Sequence, residues 1–179
     1  MKMTVKEIKQ LLKYEDGLLY WRPRTKDMFD SLKKYNAWKT RCEGKIAGGK
    51  TSTGYVSIEV NNFVFRAHRA IWAMHNGKWP NGEIDHINHN RSDNRIENLR
   101  EVNRFEQMKN KTKYSSNNTG TTGVVFVKKN KNYRAHISCD GKMHWLGTFN
   151  NKDDAIAARK KAEVEMGYHQ NHGKLNADD

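Results

Sequence analysis

The sequence predicts an α+β protein built from two small modules. Three observations support this prediction: a predicted β-hairpin and short helix precede an amide-rich polar segment, a stretch without apolar side chains follows at residues 113–122, and strand-like segments then precede one alanine-rich helix. Strands grouped with single helices are typical of α+β folds. The chain has 179 residues, of which 36% are hydrophobic, and this favours small, divided cores.

The N-terminal region begins with a predicted helix. Thr4 followed by Glu7 is a capping-box pattern, and apolar residues recur behind it at helical spacing. Asp16-Gly17 predicts a turn into a short strand at residues 18–21. Residues 22–51 are polar and contain glycines, so we expect them to form mostly loop.

A hairpin and a helix are predicted in the middle of the chain. Residues 55–60 and 63–66 are rich in strand-forming side chains and are separated by Asn61-Asn62, a hairpin signal. A short helix is predicted at residues 67–75, and residues 100–111 have a basic, helical pattern.

The C-terminal part predicts a three-stranded antiparallel sheet packed on one helix. Strands are predicted at residues 124–127, 133–139 and 142–148, with Asp140-Gly141 as a type I′ turn. A helix is predicted at residues 153–166, with Asn150 or Asn151 as its N-cap. The domains expected are residues 1–112, a linker at 113–122, a second domain at 123–168 and a frayed tail at 169–179.

The charge of the chain indicates a polyanionic partner. Lys and Arg number 33 against 20 Asp and Glu, which gives a formal net charge of +13. Nucleic acid is the partner that such an excess favours, because each neutralised phosphate releases condensed counterions. The two cysteines, Cys42 and Cys139, form no CxxC pattern, and no apolar run has membrane-spanning length. We therefore expect a cytoplasmic protein with no membrane association and no cysteine zinc site.

Asp85-His86 begins the segment that is richest in side chains able to bind a metal ion or to accept a proton. Asn88, Asn90, Asn94 and Asn98 follow it within IDHINHNRSDNRIENLR. A carboxylate and amide oxygens suit a hard divalent cation, and a neutral imidazole can deprotonate water. Adjacent residues of a strand point to opposite faces, so the two side chains would have different duties. These are the parts needed to hydrolyse a phosphodiester.

The block AHRAIW…GEIDHINHNRSDNRIENLREV resembles the HNH endonucleases of phages and group I introns. The resemblance covers roughly residues 63–110 and implies a ββα-metal fold. It implies His86 as the general base, Asp85 as a metal ligand and Asn98 as the asparagine that braces the catalytic loop. The implied cofactor is a divalent cation, Mg²⁺ or Mn²⁺, and the last ligand position falls on Gln107.

Gln107 departs from the histidine or asparagine usual at this position. Its amide oxygen lies one methylene further from the backbone, and tight cation geometry is sensitive to such a shift. Three alternatives follow: Gln107 binds the metal, Asn110 or Glu106 replaces it, or the site is impaired.

Several neighbouring residues have structural explanations. Asn88, Asn90 and Asn94 are interpreted as turn formers, because Asn tolerates left-handed backbone and bonds its own main chain. His89 is expected to be exposed or near phosphate, and His68 to have a packing or hydrogen-bonding role.

Residues 123–167 resemble the APETALA2 or ethylene-response-factor type of DNA-binding domain. The residues that carry this are TGVVFVKKNKNYRAHI, Trp145-Leu146-Gly147-Thr148-Phe149 and DDAIAARKKAE. The resemblance implies a sheet that enters the major groove of DNA, backed by the helix. The DNA-binding residues it implies are Lys128, Lys129, Tyr133, Arg134, Lys142 and Trp145. Val125, Ser138 and Met143 stand where base-reading arginines are usual, so phosphate contacts are expected rather than the plant recognition sequence.

The function predicted is a metal-dependent endonuclease acting on double-stranded DNA, phage-encoded and homing-like. A monomer with one hydrolytic centre favours nicking of one strand, and no obligate protein partner is evident. The first alternative is a DNA-binding regulator that keeps the nuclease fold without turnover, and Gln107 is the feature that favours it. A second alternative is an RNA-directed protein, since charge alone does not distinguish the two nucleic acids.

Overall fold

The computed structural model describes residues 3–111 and 117–174 and has an α+β fold of small antiparallel sheets. It divides into an N-terminal unit, Met1–His86 with Asn90–Glu101, and a C-terminal unit, Ile87–His89 with Val102–Asp179. The sequence instead suggested a linker at residues 113–122, of which 113–116 lie outside the described residues. No helix within the described ranges is long and apolar enough to cross a membrane.

The strands from β1 to β7 form three small sheets. β1 pairs with β2, β4 lies between β3 and β5, and β6 pairs with β7. The bounds of the helices and strands are α1 Val5–Leu11, β1 Leu12–Glu15, β2 Leu18–Trp21, α2 Leu32–Cys42, β3 Gly49–Lys50, β4 Val56–Val60, β5 Phe63–Arg66, α3 Ala67–Asn76, β6 Glu83–His86 and β7 Leu99–Val102.

Local signals explain the start of the chain. The predicted capping box is present, since Glu7 N donates to Thr4 Oγ1 at 3.3 Å and Thr4 N donates to Glu7 Oε2 at 2.6 Å. Asp16 and Gly17 both have positive φ and form the turn between β1 and β2. The core beneath is built from side chains of α1, β1, β4 and α3, the most buried being Ile8, Leu12, Ile58 and Ile71.

The loop predicted at residues 22–51 is wrong in part, because α2 lies within it. Ser31 caps the helix by accepting a hydrogen bond from Lys34 N at 3.3 Å. Tyr35 and Trp38 both pack against Phe29, and the centre of each ring lies 5.6 Å from the ring centre of Phe29. The serine cap and the aromatic spacing were the signals that sequence reasoning passed over.

The single helix predicted at residues 100–111 is also wrong. Residues 99–102 form β7, and only Arg104–Met108 forms a helix, α4. Pairing with β6 satisfies the backbone of β7, and Leu99 and Val102 are buried. Tertiary pairing therefore overrides the local helical pattern.

The C-terminal sheet is as predicted. Its order is β10-β9-β8, all antiparallel, with bounds β8 Val124–Val127, β9 Asn132–Cys139 and β10 Lys142–Phe149. Asp140 and Gly141 both have positive φ, as a type I′ turn requires. α5, Lys152–Glu165, is capped by Asn151 and packs on the sheet through Ala155, which contacts Val124 and Ala135.

The frayed tail expected from residue 169 is corrected for residues 169–174. His169 N donates to Lys109 O at 3.0 Å, and Gly173 N donates to Lys111 O at 2.9 Å. His172 is buried and accepts a hydrogen bond from Arg159 Nη2 at 3.2 Å. Backbone hydrogen bonds and one buried imidazole therefore anchor this segment, whereas residues 175–179 lie outside the described residues.

Candidate active site

β6 places Asp85 and His86 on opposite faces of a short strand. His86 shares its face with Ile84, which belongs to the core, and is 4% exposed. The Asp85 side chain lies on the other face and is 15% exposed. The two side chains therefore meet different neighbours, as the alternation of a strand requires.

His86 is held by Asn94. Its Nε2 atom lies 3.0 Å from Asn94 Oδ1, and both side chains are buried. Because an amide oxygen only accepts, this contact is a hydrogen bond in the tautomer that carries the proton on Nε2. Burial lowers the pKa of His86, opposed by the Asn94 hydrogen bond and the charges of Asp85 and Asp93. The imidazole is accordingly neutral near pH 7 and able to accept a proton.

Two further rings pack against His86. The ring of His68 contacts it edge-on at 5.0 Å, and the ring of Tyr55 lies at 5.9 Å. His68 is buried, and burial followed by the charge of His86 lowers its pKa to about 3. A packing role for His68, the interpretation made from sequence, agrees with this contact.

Asp85 forms an ion pair with Arg100. Arg100 Nε and Nη2 donate to the same carboxylate oxygen, Oδ2, at 3.1 and 2.9 Å. Charge-assisted hydrogen bonds of this kind fix the direction of a carboxylate. The interaction joins β6 to β7, so the two paired strands position Asp85 together.

The loop between β6 and β7 is braced by its own polar side chains. Asn98 is buried and its Nδ2 donates to the carbonyl of Asp93 at 2.8 Å. Asn90 Oδ1 accepts from Ser92 N at 2.9 Å, which is the turn-forming role suggested for Asn90. Asp93 and Arg95 are paired at 2.7 Å.

Gln107 lies on α4 in the C-terminal unit with its side chain exposed. The two residues considered as its replacements have structural contacts. Glu106 and Asn103 form a reciprocal cap, with Asn103 N donating to Glu106 Oε2 at 2.9 Å and Glu106 N to Asn103 Oδ1 at 3.0 Å. Asn110 Oδ1 lies 2.9 Å from the Nε2 atom of a buried histidine in the same unit.

That histidine is His89, and the expectation that it is solvent-exposed is wrong. It is 7% exposed and has positive φ in the loop that follows β6. Asn110 pairs with it, because a buried imidazole needs a hydrogen-bond partner. Sequence reasoning missed this since the two residues are 21 positions apart.

The outward face of the C-terminal sheet carries a mixed cationic and aromatic surface. Arg134 pairs with Val125 and Thr148, and His136 pairs with Trp145 in the next row. Trp145 is 65% exposed, and its ring lies 5.7 Å from that of His136. The lysines expected to contact DNA, Lys128, Lys129 and Lys142, are exposed at the two hairpin turns.

Tyr133 does not belong to that surface. It lies on the same face of β9 as Ala135 and Ile137 and is half-buried. Its ring centre lies 5.0 Å from that of Phe126. It packs against the small core beneath α5. The resemblance assigned Tyr133 a contact with DNA, whereas alternation along β9 directs its side chain to the packed face.

The oxygen donors around Asp85 limit the kind of metal the site could hold. Within the described part of the chain, no group of three or more His, Cys, Asp or Glu side chains is arranged to hold a metal ion. The carboxylate of Asp85 is a hard oxygen donor whose Oδ2 is shared with Arg100. Mg²⁺ keeps several waters and takes one or two carboxylates together with substrate phosphates. The residues therefore fit such an ion and do not fit a cage made of protein ligands alone.

Two contributors to this site were not assigned from the sequence. Asn94 was interpreted as a turn former, yet it holds His86. Arg100 was noted only as part of a motif, yet it pairs with Asp85. Both belong to IDHINHNRSDNRIENLR, and its density of polar side chains was the available signal.

Comparison with known proteins relates this site to one enzyme family. Residues 65–109 match the family model described as HNH endonuclease, and this range includes Asp85, His86, Asn98 and Gln107. The match supports a nuclease of the HNH type.

The chain is also similar to Protein 3.8 of Escherichia phage T7. The two are 32% identical over 80 residues, which is 44% of this chain and 66% of that protein. No solved structure matches the chain.

Proposed function

We propose that this protein is a metal-dependent endonuclease that hydrolyses phosphodiester bonds of double-stranded DNA, with His86 as general base. The buried pair of His86 and Asn94 carries the proposal, because it fixes one tautomer of an imidazole whose pKa burial keeps low. The match of residues 65–109 and the net charge of +13 support a nucleic-acid substrate.

His86 would take a proton from the attacking water at Nδ1, since its Nε2–H is directed to Asn94. Asn98 would keep the loop in shape through its bond to the Asp93 carbonyl. Asp85, oriented by Arg100, would hold a divalent cation such as Mg²⁺ or Mn²⁺, with Gln107 as the second ligand that the resemblance suggests. A cation bound there supplies charge neutralisation at the leaving 3′ oxygen.

The C-terminal sheet would anchor the protein on DNA in the manner of an APETALA2-type domain. Arg134 and Trp145 share the outward face, and exposed lysines at both hairpin turns can contact phosphates. A β-ribbon fits the width of the major groove. The sheet would thus hold the duplex while one His86 centre nicks one strand, as expected of a phage homing-like enzyme.

Nicking of supercoiled plasmid tests the proposal. Purified protein with Mg²⁺ or Mn²⁺ should convert supercoiled to open-circular DNA. His86→Ala should lower the rate of this conversion at least about a hundredfold. His75→Ala is the matched control, because it deletes an exposed imidazole at the end of α3. The proposal fails if plasmid stays intact with wild-type protein, or if His86→Ala nicks as fast.

The same assay distinguishes the alternative, a DNA-binding regulator that does not cleave DNA. Wild-type protein would then bind duplex DNA without nicking it, and Gln107→Asn would restore nicking by moving the amide oxygen one methylene closer to the backbone.

A further inference from the structure

The N-terminal unit contains a cavity of about 350 Å³ that has no lining residue from β6. Its walls come from the end of β2, from α2 and from the turn between β4 and β5. The side chains that matter for its chemistry are Trp21, Arg24, Trp38, Arg41, Asn61 and Asn62.

Arg24 is held in this cavity by aromatic faces. Its guanidinium carbon lies 5.1 Å from the ring centre of Trp21 and 4.8 Å from that of Trp38. The two indoles contact each other edge-on at 6.4 Å. Cation–π contacts of this kind stabilise the charge and fix the plane of the guanidinium without using its N–H donors.

Arg24 Nε is buried without a hydrogen-bond partner among the described residues, and no ion pair there involves Arg24. Partial burial lowers the pKa of Arg24. A partly buried guanidinium whose buried Nε–H has no acceptor among the described residues favours an anionic ligand.

The rest of the lining suits a phosphate group. Arg41 brings a second guanidinium, and Asn61 and Asn62 present amides from a turn in which both have positive φ. Glu59 also lines the cavity, but it forms no ion pair with either arginine in the described part of the chain. Planar guanidinium groups bind phosphate oxygens through paired hydrogen bonds.

We propose that Arg24 and Arg41 bind a backbone phosphate of the nucleic acid on which the protein acts. The inference rests on the proposed function for the identity of the ligand. It gives residues 21–62 a direct part in substrate binding, separate from hydrolysis at β6 and from the C-terminal sheet. The site reads no sequence, because phosphate contacts set position and register only.

Binding of a short fluorescein-labelled duplex in EDTA, followed by anisotropy over a series of salt concentrations, tests the proposal without cleavage. Arg24→Met keeps an apolar stem between the indoles but removes the charge and the donors. It should weaken binding about tenfold and lower the salt slope by about one. Arg24→Lys keeps the charge without the planar donors, and it should recover only part of the affinity.

Lys33→Met is the matched control, because it removes one charge from an exposed position of α2 that does not line the cavity. It should change affinity less than about threefold. Equal weakening by Lys33→Met and Arg24→Met would show a diffuse charge effect and overturn the proposal. If wild-type protein binds no duplex, the proposed function fails; if it binds and Arg24→Met binds equally, only this inference fails.

NMR of the wild-type protein gives an answer even if Arg24→Met does not fold. The indole N–H signals of Trp21 and Trp38 should shift on adding duplex, whereas that of Trp79, which donates to Met3 O, should not. A second titration of the same NMR signals uses inorganic phosphate in place of duplex DNA. Shifts with phosphate but not with duplex would assign a free anion instead of the DNA backbone, and absence of both would overturn the site.

Discussion

The Nε2 atom of His86 lies 3.0 Å from Oδ1 of Asn94, and the two side chains are 4% and 2% exposed. This contact crosses the loop between β6 and β7 and joins residues eight positions apart. A buried imidazole held by an amide oxygen has one tautomer and one orientation. The loop therefore serves to position a base as well as to connect two strands.

Asn94→Ala should lower the nicking rate about tenfold to a hundredfold, because His86 loses the partner that fixes its proton on Nε2. DNA affinity should change little. The measurement is plasmid nicking under single-turnover conditions beside duplex binding in EDTA. Asn76→Ala, which deletes an exposed amide at the end of α3, is the control. Unchanged nicking by Asn94→Ala would contradict the positioning role.

Gln107→Ala should lower metal-dependent nicking at least about tenfold and raise the Mg²⁺ concentration needed for half-maximal rate. Its side chain is exposed, so the free energy of unfolding should change by less than about 0.5 kcal/mol. Titrations of rate against Mg²⁺ and Mn²⁺ measure this effect. Gln10→Ala, the same substitution at an exposed position of α1, should leave both curves unaltered. Identical curves for Gln107→Ala and wild type would exclude Gln107 as a ligand.

Trp145→Ala should weaken duplex binding about tenfold, since it removes the largest exposed side chain from the outward face of the C-terminal sheet. Tyr133→Phe should leave affinity unchanged, because Tyr133 lies on the packed face of the same sheet. Anisotropy with one labelled duplex compares the two variants directly. Loss of affinity in Tyr133→Phe but not in Trp145→Ala would mean that the other face meets DNA.

Acid should destabilise the protein through His172. Burial lowers the pKa of His172 to about 4 from an ordinary value of 6.5. The folded state therefore binds fewer protons than the unfolded state between these values. The stabilisation is fully present above pH 6.5 and is lost as pH falls toward 4, by at most on the order of 3 kcal/mol.

Urea denaturation at a series of pH values tests this dependence. His172→Phe preserves the edge-on contact with Tyr168 at 4.7 Å but has no titrating group. The variant should be less stable than wild type at pH 7.5, because Arg159 loses an acceptor, yet its stability should fall less steeply with acid. His68, His86 and His136, whose pKa values burial also lowers, contribute to the pH dependence of both proteins. Parallel curves would show that His172 does not titrate as proposed.

Local patterns predicted the elements whose cause is local. The Thr4 cap, the Asp140-Gly141 turn, the hairpin at Asn61-Asn62 and the Asn151 cap each depend on a few consecutive residues, and each is present. The polar composition of residues 22–51 predicts loop, yet α2, which Ser31 and the aromatic spacing signal, lies within it. The strand β7 had no comparable signal, since it depends on pairing with β6.

The sequence by itself determined the α+β class, the charge that favours nucleic acid and the segment that carries Asp85, His86 and Asn98, because composition, turn chemistry and motif spacing are properties of the chain. Only the tertiary structure decided the partners: Asn94 for His86, Arg100 for Asp85 and the indoles of Trp21 and Trp38 for Arg24. It also directed Tyr133 to the packed face and buried His89 against Asn110. The physical reason is that burial and hydrogen-bond pairing depend on which distant segments meet, and spacing along the chain does not specify that.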